Sequence, residues 1–175
     1  MIETTDALKA KIRHVPDFPK PGILYYDITT LLRDAEGFRL AVDALVGPHA
    51  REDVDLVVGV ESRGFILGSA VADRLRAGFV PVRKVGKLPS KTVRVSYDLE
   101  YGSDSLEMHS DAIVKGCRVL IVDDLLATGG TARATVDLVK QLGGTVHAVA
   151  FLIELVDLNG RAKLNGEQLN VVLKY

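Results

Sequence analysis

One stretch constrains this chain more than any other: Arg118-Val-Leu-Ile-Val122, running on into Asp123-Asp-Leu-Leu-Ala-Thr-Gly-Gly-Thr131. Its first part is a short apolar run rich in β-branched residues, the pattern of a strand buried on both faces. That strand delivers two adjacent carboxylates, Asp123 and Asp124, to its carboxyl end. Thr128, Gly129, Gly130 and Thr131 then open a helix whose apolar face carries Ala132, Val136, Val139 and Leu142. Glycines let a backbone approach an anion closely, and the free N–H groups of a helix start point at it. The two threonine hydroxyls add donors. The acidic pair would repel such an anion, so it should meet sugar hydroxyls, a magnesium ion or developing positive charge.

The rest of the chain repeats the alternation. Leu56-Val-Val-Gly-Val60 reads as a second buried strand, and a helix follows from about Arg63 to Arg76 with Leu67, Val71 and Leu75 on one face. Phe79 to Arg83 and Val146 to Leu155 read as further strands. Upstream, Thr4 or Thr5 is expected to cap a first helix ending near His14. The prolines and glycine of Phe18-Pro-Lys-Pro-Gly22 exclude regular helix, and Ile23 to Ile28 reads as extended. Asp34 is placed to cap a helix carrying Phe38, Ala41, Val42 and Leu45. Lys84 to Thr92, with Gly86, Pro89 and little apolar content, predicts a mobile surface loop. Arg94 to Leu99 and Ser105 to His109 suit a hairpin-like excursion, while the last dozen residues carry little signal. Strand–helix alternation predicts an α/β fold: a mainly parallel, twisted sheet flanked by helices, built as a single domain over residues 1–175. Ligands of such sheets sit beyond the carboxyl ends of the strands.

A net charge of −1 excludes a general electrostatic attraction to nucleic acid or membrane, so a bound anion must be held by local donors. Cys117 is the only cysteine, which excludes an intrachain disulfide, and no Cys/His cluster has zinc spacing. The four histidines share no spacing and read as structural. Residues 1–14 lack the apolar run of a signal peptide, and stretches such as Val119 to Val122 are too short to span a bilayer. A cytoplasmic enzyme is the expectation.

The segment from Asp123 to Thr131 resembles the phosphoribosyl-pyrophosphate motif of the type I phosphoribosyltransferases. The resemblance implies that Ala127, Thr128, Gly129, Gly130 and Thr131 hold the 5′-phosphate and that Asp123 and Asp124 face the ribose hydroxyls. A Walker-B-like or response-regulator acidic strand end is the bland alternative, but the chain has no G-x-x-x-x-G-K-[ST] or G-x-G-x-x-G loop. Hypoxanthine-type relatives usually carry aspartate where this chain has Ala127, and orotate-type relatives usually read Thr-Ala-Gly in the loop. Ala127-Thr-Gly-Gly-Thr131 is similar to the adenine branch.

Other motifs carry the same resemblance. Phe18-Pro-Lys-Pro-Gly-Ile-Leu-Tyr-Tyr-Asp-Ile-Thr29 resembles the segment that covers the purine, a hood spanning about residues 1–34; Tyr25 would stack on adenine while backbone groups of Leu24 and Tyr26 read its edge. Relatives commonly have arginine at the position of Tyr26. In Glu61-Ser-Arg-Gly64, Arg63 is a fork donor suited to pyrophosphate. Arg83, Lys84 and Lys87 would join it. Tyr97-Asp-Leu-Glu-Tyr-Gly102 matches the mobile catalytic loop, about residues 84–106, with Glu100 the candidate for proton transfer and Tyr101 for closing over the leaving group. The implied reaction joins adenine to phosphoribosyl pyrophosphate with Mg²⁺ as cofactor, giving AMP and pyrophosphate. The metal would be held mainly by the substrate, and the chain would be a homodimer. A 6-oxopurine enzyme and a non-catalytic phosphoribosyl-pyrophosphate sensor stay open as alternatives.

Overall fold

The computed structural model describes residues 2–98 and 102–175 and divides into two compact units, residues 1–44 and 45–175.

The first unit contains helix α1 (Ile2–Lys9), a hairpin of β1 (Arg13–Pro16) and β2 (Leu24–Asp27), the single turn α2 (Thr29–Leu32) and most of α3 (Ala35–Val46). Asp34 caps α3 as expected, accepting from the Gly37 N–H at 2.7 Å. The same carboxylate takes the Lys11 ammonium at 2.8 Å, which ties the start of α3 to the chain after α1. Two expectations need correction. Helix α1 begins at Ile2, so Thr4 and Thr5 lie inside it and not at its start. It ends at Lys9 instead of near His14, which sits on β1 opposite Tyr26 with the two rings edge to face at 5.1 Å. Cross-strand pairing there overrides any local helical preference.

The second unit is built on a seven-stranded sheet in the order β5-β6-β4-β3-β7-β8-β9. The strands are β3 (Leu56–Val60), β4 (Gly78–Lys84), β5 (Thr92–Asp98), β6 (Ser103–His109), β7 (Arg118–Leu126), β8 (Thr145–Glu154) and β9 (Leu169–Lys174). The block β4-β3-β7-β8-β9 is parallel throughout. The β5–β6 hairpin joins its edge antiparallel to β4. Helix α4 (Arg63–Leu75) crosses from β3 to β4, and α5 (Gly130–Gln141) crosses from β7 to β8. Val58, Val60, Val119, Ile121, Val136, Val139, Val149 and Phe151 are among the fully or nearly buried residues of one apolar core. At ~25 cal/mol per Å², burial of this kind is the main force holding the sheet to its helices.

Strand β7 is longer than its apolar run. It continues through Leu126 because Asp123, Leu125 and Leu126 keep register with Phe151, Ile153 and Glu154 of β8. The two acids therefore lie within the strand, where its ladder fixes their backbone, and the loop to α5 contains only residues 127–129. Strand β9 adds an edge that the sequence reading left without structure.

Candidate active site

The sheet places the carboxyl ends of β3, β4 and β7 side by side, and Arg63, Arg83, Lys84, Lys87, Asp123, Asp124 and residues 127–131 fall there. Beyond β7, residues 127–129 turn into α5 through Gly129, whose φ of +79° is a left-handed conformation that favours glycine. Among the described residues, no protein group accepts from the backbone N–H of residues 127–131. These are the orphan donors of a helix start, and they line a cavity of about 70 Å³ together with Asp123, Leu125, Leu126 and Phe151. A small anion with several acceptor oxygens fits that donor set. Thr128 is exposed, whereas the Thr131 hydroxyl donates to the Tyr97 hydroxyl at 3.2 Å and so joins the loop to strand β5.

The acids are held by the first turn of α4. The Arg63 guanidinium donates to Asp124 at 2.5 Å, and the Asp124 N–H donates to the Asp123 carboxylate at 2.9 Å. Gly64 lets the helix backbone come close: a Cβ there would stand 2.7 Å from Asp123 Oδ1. Burial, and next the neighbouring Asp124 charge, push the Asp123 carboxyl well above the ordinary carboxylate range. Such a pair gives the strand end one carboxyl that gains a proton readily and one held by an arginine.

Arg83, Lys84 and Lys87, at the end of β4 and in the turn to β5, each have an acidic partner. Arg83 and Lys87 donate to the two oxygens of Glu61 at 2.8 and 2.7 Å, and Lys84 pairs with Asp104 at 2.8 Å. Burial pushes the Glu61 carboxyl up, but the bonds from Lys87 and Arg83 outweigh it and hold it below its ordinary value. Glu107, buried on β6, accepts from the N–H groups of Gly86, Lys87 and Leu88 at 2.9, 3.2 and 3.3 Å. Neither Glu61 nor Glu107 was singled out from the sequence. Glu61 had the signal of standing beside Arg63, whereas Glu107 is recognisable only once β6 is laid beside the turn.

Leu24, Tyr25 and Tyr26 lie on β2 of the first unit. Tyr25 meets Phe18 edge to face at 5.1 Å, and the connecting turn is fixed by the Gly22 N–H donating to Asp17 at 2.8 Å. Leu24 is exposed. Glu100 and Tyr101 lie outside the described residues. His49 and His147, read as unrelated structural histidines, touch at 3.1 Å, with Arg118 and Asn170 at either end of the pair.

Comparison with known proteins gives the chain its family. The family model of the phosphoribosyl transferase domain matches residues 32–165. The adenine phosphoribosyltransferase of Acidobacterium capsulatum is 58% identical over 170 residues, covering 97% of this chain and 94% of its own. The crystal structure of the adenine phosphoribosyltransferase from Rhodothermus marinus superposes with a TM-score of 0.95 at 53% identity, covering 100% of both chains. That of the Saccharomyces cerevisiae enzyme, complexed with D-2,5-dideoxy-2,5-imino-altritol 1,6-bisphosphate and adenine, gives 0.93 at 40% identity, covering 99% of this chain and 100% of that one. With the family model spanning most of the chain and a 58% identical relative covering nearly all of it, this chain belongs to the phosphoribosyltransferase family, on its adenine phosphoribosyltransferase branch.

Proposed function

We propose that the protein transfers the 5-phosphoribosyl group of phosphoribosyl pyrophosphate to N9 of adenine, forming AMP and releasing pyrophosphate. The observation that carries this reading is the set of open amides at residues 127–131 next to the Asp123–Asp124 strand end. One side suits a phosphoryl group and the other a sugar. The relatives favour adenine over the 6-oxopurine and sensor alternatives, since those matched at high identity are adenine enzymes. The yeast relative, whose complex contains a bisphosphate and adenine, supports the same pairing of ligands.

In the proposed reaction the bond from the anomeric carbon to the pyrophosphate oxygen breaks as the bond to N9 forms, with inversion, and N9 gives up its proton. By analogy with glycosyl chemistry the transition state is oxocarbenium-like. Asp123 and Asp124 would face the ribose as positive charge grows there. Arg63, Arg83, Lys84 and Lys87 would meet the negative charge on the leaving pyrophosphate. For the lysines and Arg83 that means exchanging a carboxylate partner for a substrate oxygen. Tyr25 would stack on adenine, with Leu24 and Tyr26 at its edge. Glu100 would accept the N9 proton and Tyr101 would close over the site, as residues 84–106 form a lid that keeps water from the reacting carbon. Glu100→Gln should slow turnover less than loss of Arg63; an unchanged rate would remove Glu100 from the role.

Mg²⁺ is the proposed cofactor. Carboxylate and phosphate oxygens are its usual ligands, and it needs only one or two protein carboxylates alongside substrate and water. Asp123 and Asp124 have that chemistry, and among the described residues no group of three or more potential ligands forms a dedicated cage. When bound, the ion supplies charge neutralisation on the diphosphate. A cytoplasmic homodimer completes the proposal on family resemblance; a monomeric mass by light scattering, or recovery outside the cytosolic fraction, would overturn that part.

The direct test mixes the protein with Mg²⁺ and phosphoribosyl pyrophosphate and adds adenine, hypoxanthine or guanine in separate reactions. AMP and pyrophosphate should appear with adenine. Turnover with an oxopurine alone, or binding without turnover, would overturn the reading.

A further inference from the structure

Behind the anion loop lies a segment that no motif pointed to. Two backbones interlock there with no room for a side chain. A Cβ on Gly129 would stand 2.3 Å from the carbonyl oxygen of Gly160. A Cβ on Gly160 would stand 2.1 Å from the carbonyl oxygen of Ala127 and 3.0 Å from the Gly129 nitrogen. Real Cβ atoms do not approach backbone so closely, so the loop and the segment must shift together if either glycine changes.

The segment is firmly mounted. Gly160 is buried and opens a 3-10 turn, Gly160–Leu164, after Asn159 in the left-handed region at φ +50°. Arg161 grips Glu154 with a two-pronged fork, Nε and Nη2 each at 2.7 Å from one carboxylate oxygen. Glu154, only 4% exposed, ends β8 in register with Leu126, the residue that precedes the loop. Those bonds from Arg161 hold the Glu154 carboxyl below its ordinary value. At the far end of the turn Leu164 is buried in the same apolar core as Leu126 and Ala132, which bracket the loop. The sheet, the ion pair and the core thus fix Gly160 from independent directions.

We propose that the 159–161 turn is the rear support of the phosphate loop, with Gly160 and the Arg161–Glu154 pair as positioning residues for the phosphoryl group. They do not touch substrate. Their contribution is to hold the peptide planes of residues 127–130 so that the amides face the cavity. This rests on the reading of residues 127–131 as the phosphate site, and it predicts that ligands bearing the phosphate suffer from damage behind the loop while adenine does not.

The test is binding of ribose 5-phosphate by calorimetry to the wild type, Gly160→Ala and Gly166→Ala, with melting temperatures measured in parallel. Gly166 also has a left-handed backbone, at φ +90°, but a Cβ there meets nothing, so it reports destabilisation without displacement of the loop. Losing well-aimed donors to a charged group should weaken ribose 5-phosphate binding by Gly160→Ala about tenfold or more. KM for phosphoribosyl pyrophosphate should rise in parallel, while KM for adenine stays within about twofold and Gly166→Ala binds as wild type. If Gly160→Ala does not fold, Arg161→Gln decides, expected to weaken binding by roughly threefold, with Arg161→Lys recovering part of the loss because it keeps one charged donor. Wild-type affinity in Gly160→Ala, or in Arg161→Gln where that variant stands in, overturns the inference, as does an equal loss in Gly166→Ala. Failure of the wild type itself to bind ribose 5-phosphate overturns instead the assignment of the loop.

Discussion

Two turns at the carboxyl edge of the sheet look alike in composition and differ in what their donors do. Residues 127–131 and residues 84–88 both follow a parallel strand, and both combine glycine with hydrogen-bond donors. At the first turn the amides are open to a cavity. At the second, the amides of residues 86–88 are spent on Glu107, and the side chains of Arg83, Lys84 and Lys87 are spent on Glu61 and Asp104. The first turn has its donors free for a ligand, whereas a ligand at the second must displace carboxylates. Donor-rich sequence alone does not distinguish the two; the neighbouring strands do.

The largest effects should come from the charged pair beside the open loop. Arg63→Ala and Asp124→Ala should each lower kcat by ~10²–10³, the usual loss for one preorganised charge contact, with circular dichroism unchanged. Near wild-type turnover in either folded variant would remove that residue from catalysis.

A smaller effect is expected behind the occupied turn. Glu107→Ala leaves the N–H groups of residues 86–88 without their acceptor and should destabilise the protein by ~1–3 kcal/mol. If Lys87 and Arg83 serve the pyrophosphate, KM for phosphoribosyl pyrophosphate should rise roughly fivefold through the loss of such contacts, with KM for adenine little changed. An unchanged KM in that variant would separate the basic turn from the substrate.

The pH dependence of stability should have opposite signs at the two turns. The Asp123 carboxyl is raised above its ordinary 3.8, so its contribution is fully present below that pH and is lost as pH rises through the raised value. Asp123→Asn should therefore gain on the wild type as pH increases above about 4. The Glu61 carboxyl is lowered below its ordinary 4.5, so its contribution is present above that pH and is lost as pH falls through the lowered value. The deficit of Glu61→Gln should be largest near neutrality and shrink in acid. Melting curves from about pH 3 to about pH 8 would show parallel slopes if the electrostatic contrast is wrong.

The difference between the turns also marks what was legible in the sequence. The core of β7 and the helix after it could be read because Val119 to Val122 and Ala132 to Leu142 carry local apolar patterns, and Asp34 was readable as a cap from its position. The open loop was legible through Gly129 and Gly130, whose chemistry depends on their own backbone. Glu107 and Gly160 were not, because each acts on residues distant in sequence, and the Arg161–Glu154 fork gains its meaning only from the place of Glu154 beside Leu126. β1 escaped because Arg13–Pro16 is short and largely exposed, with no apolar alternation to betray it. β9 escaped because a single short segment, Leu169–Lys174, offers little to read alone, and its edge place became evident only against β8.

The most direct test follows backbone amide resonances as ribose 5-phosphate is added. Large shifts confined to the Thr128–Thr131 amides, with Gly86, Lys87 and Leu88 nearly unmoved, are expected if the first turn alone is ready for an anion. Saturable shifts at residues 86–88 with residues 128–131 silent would contradict it.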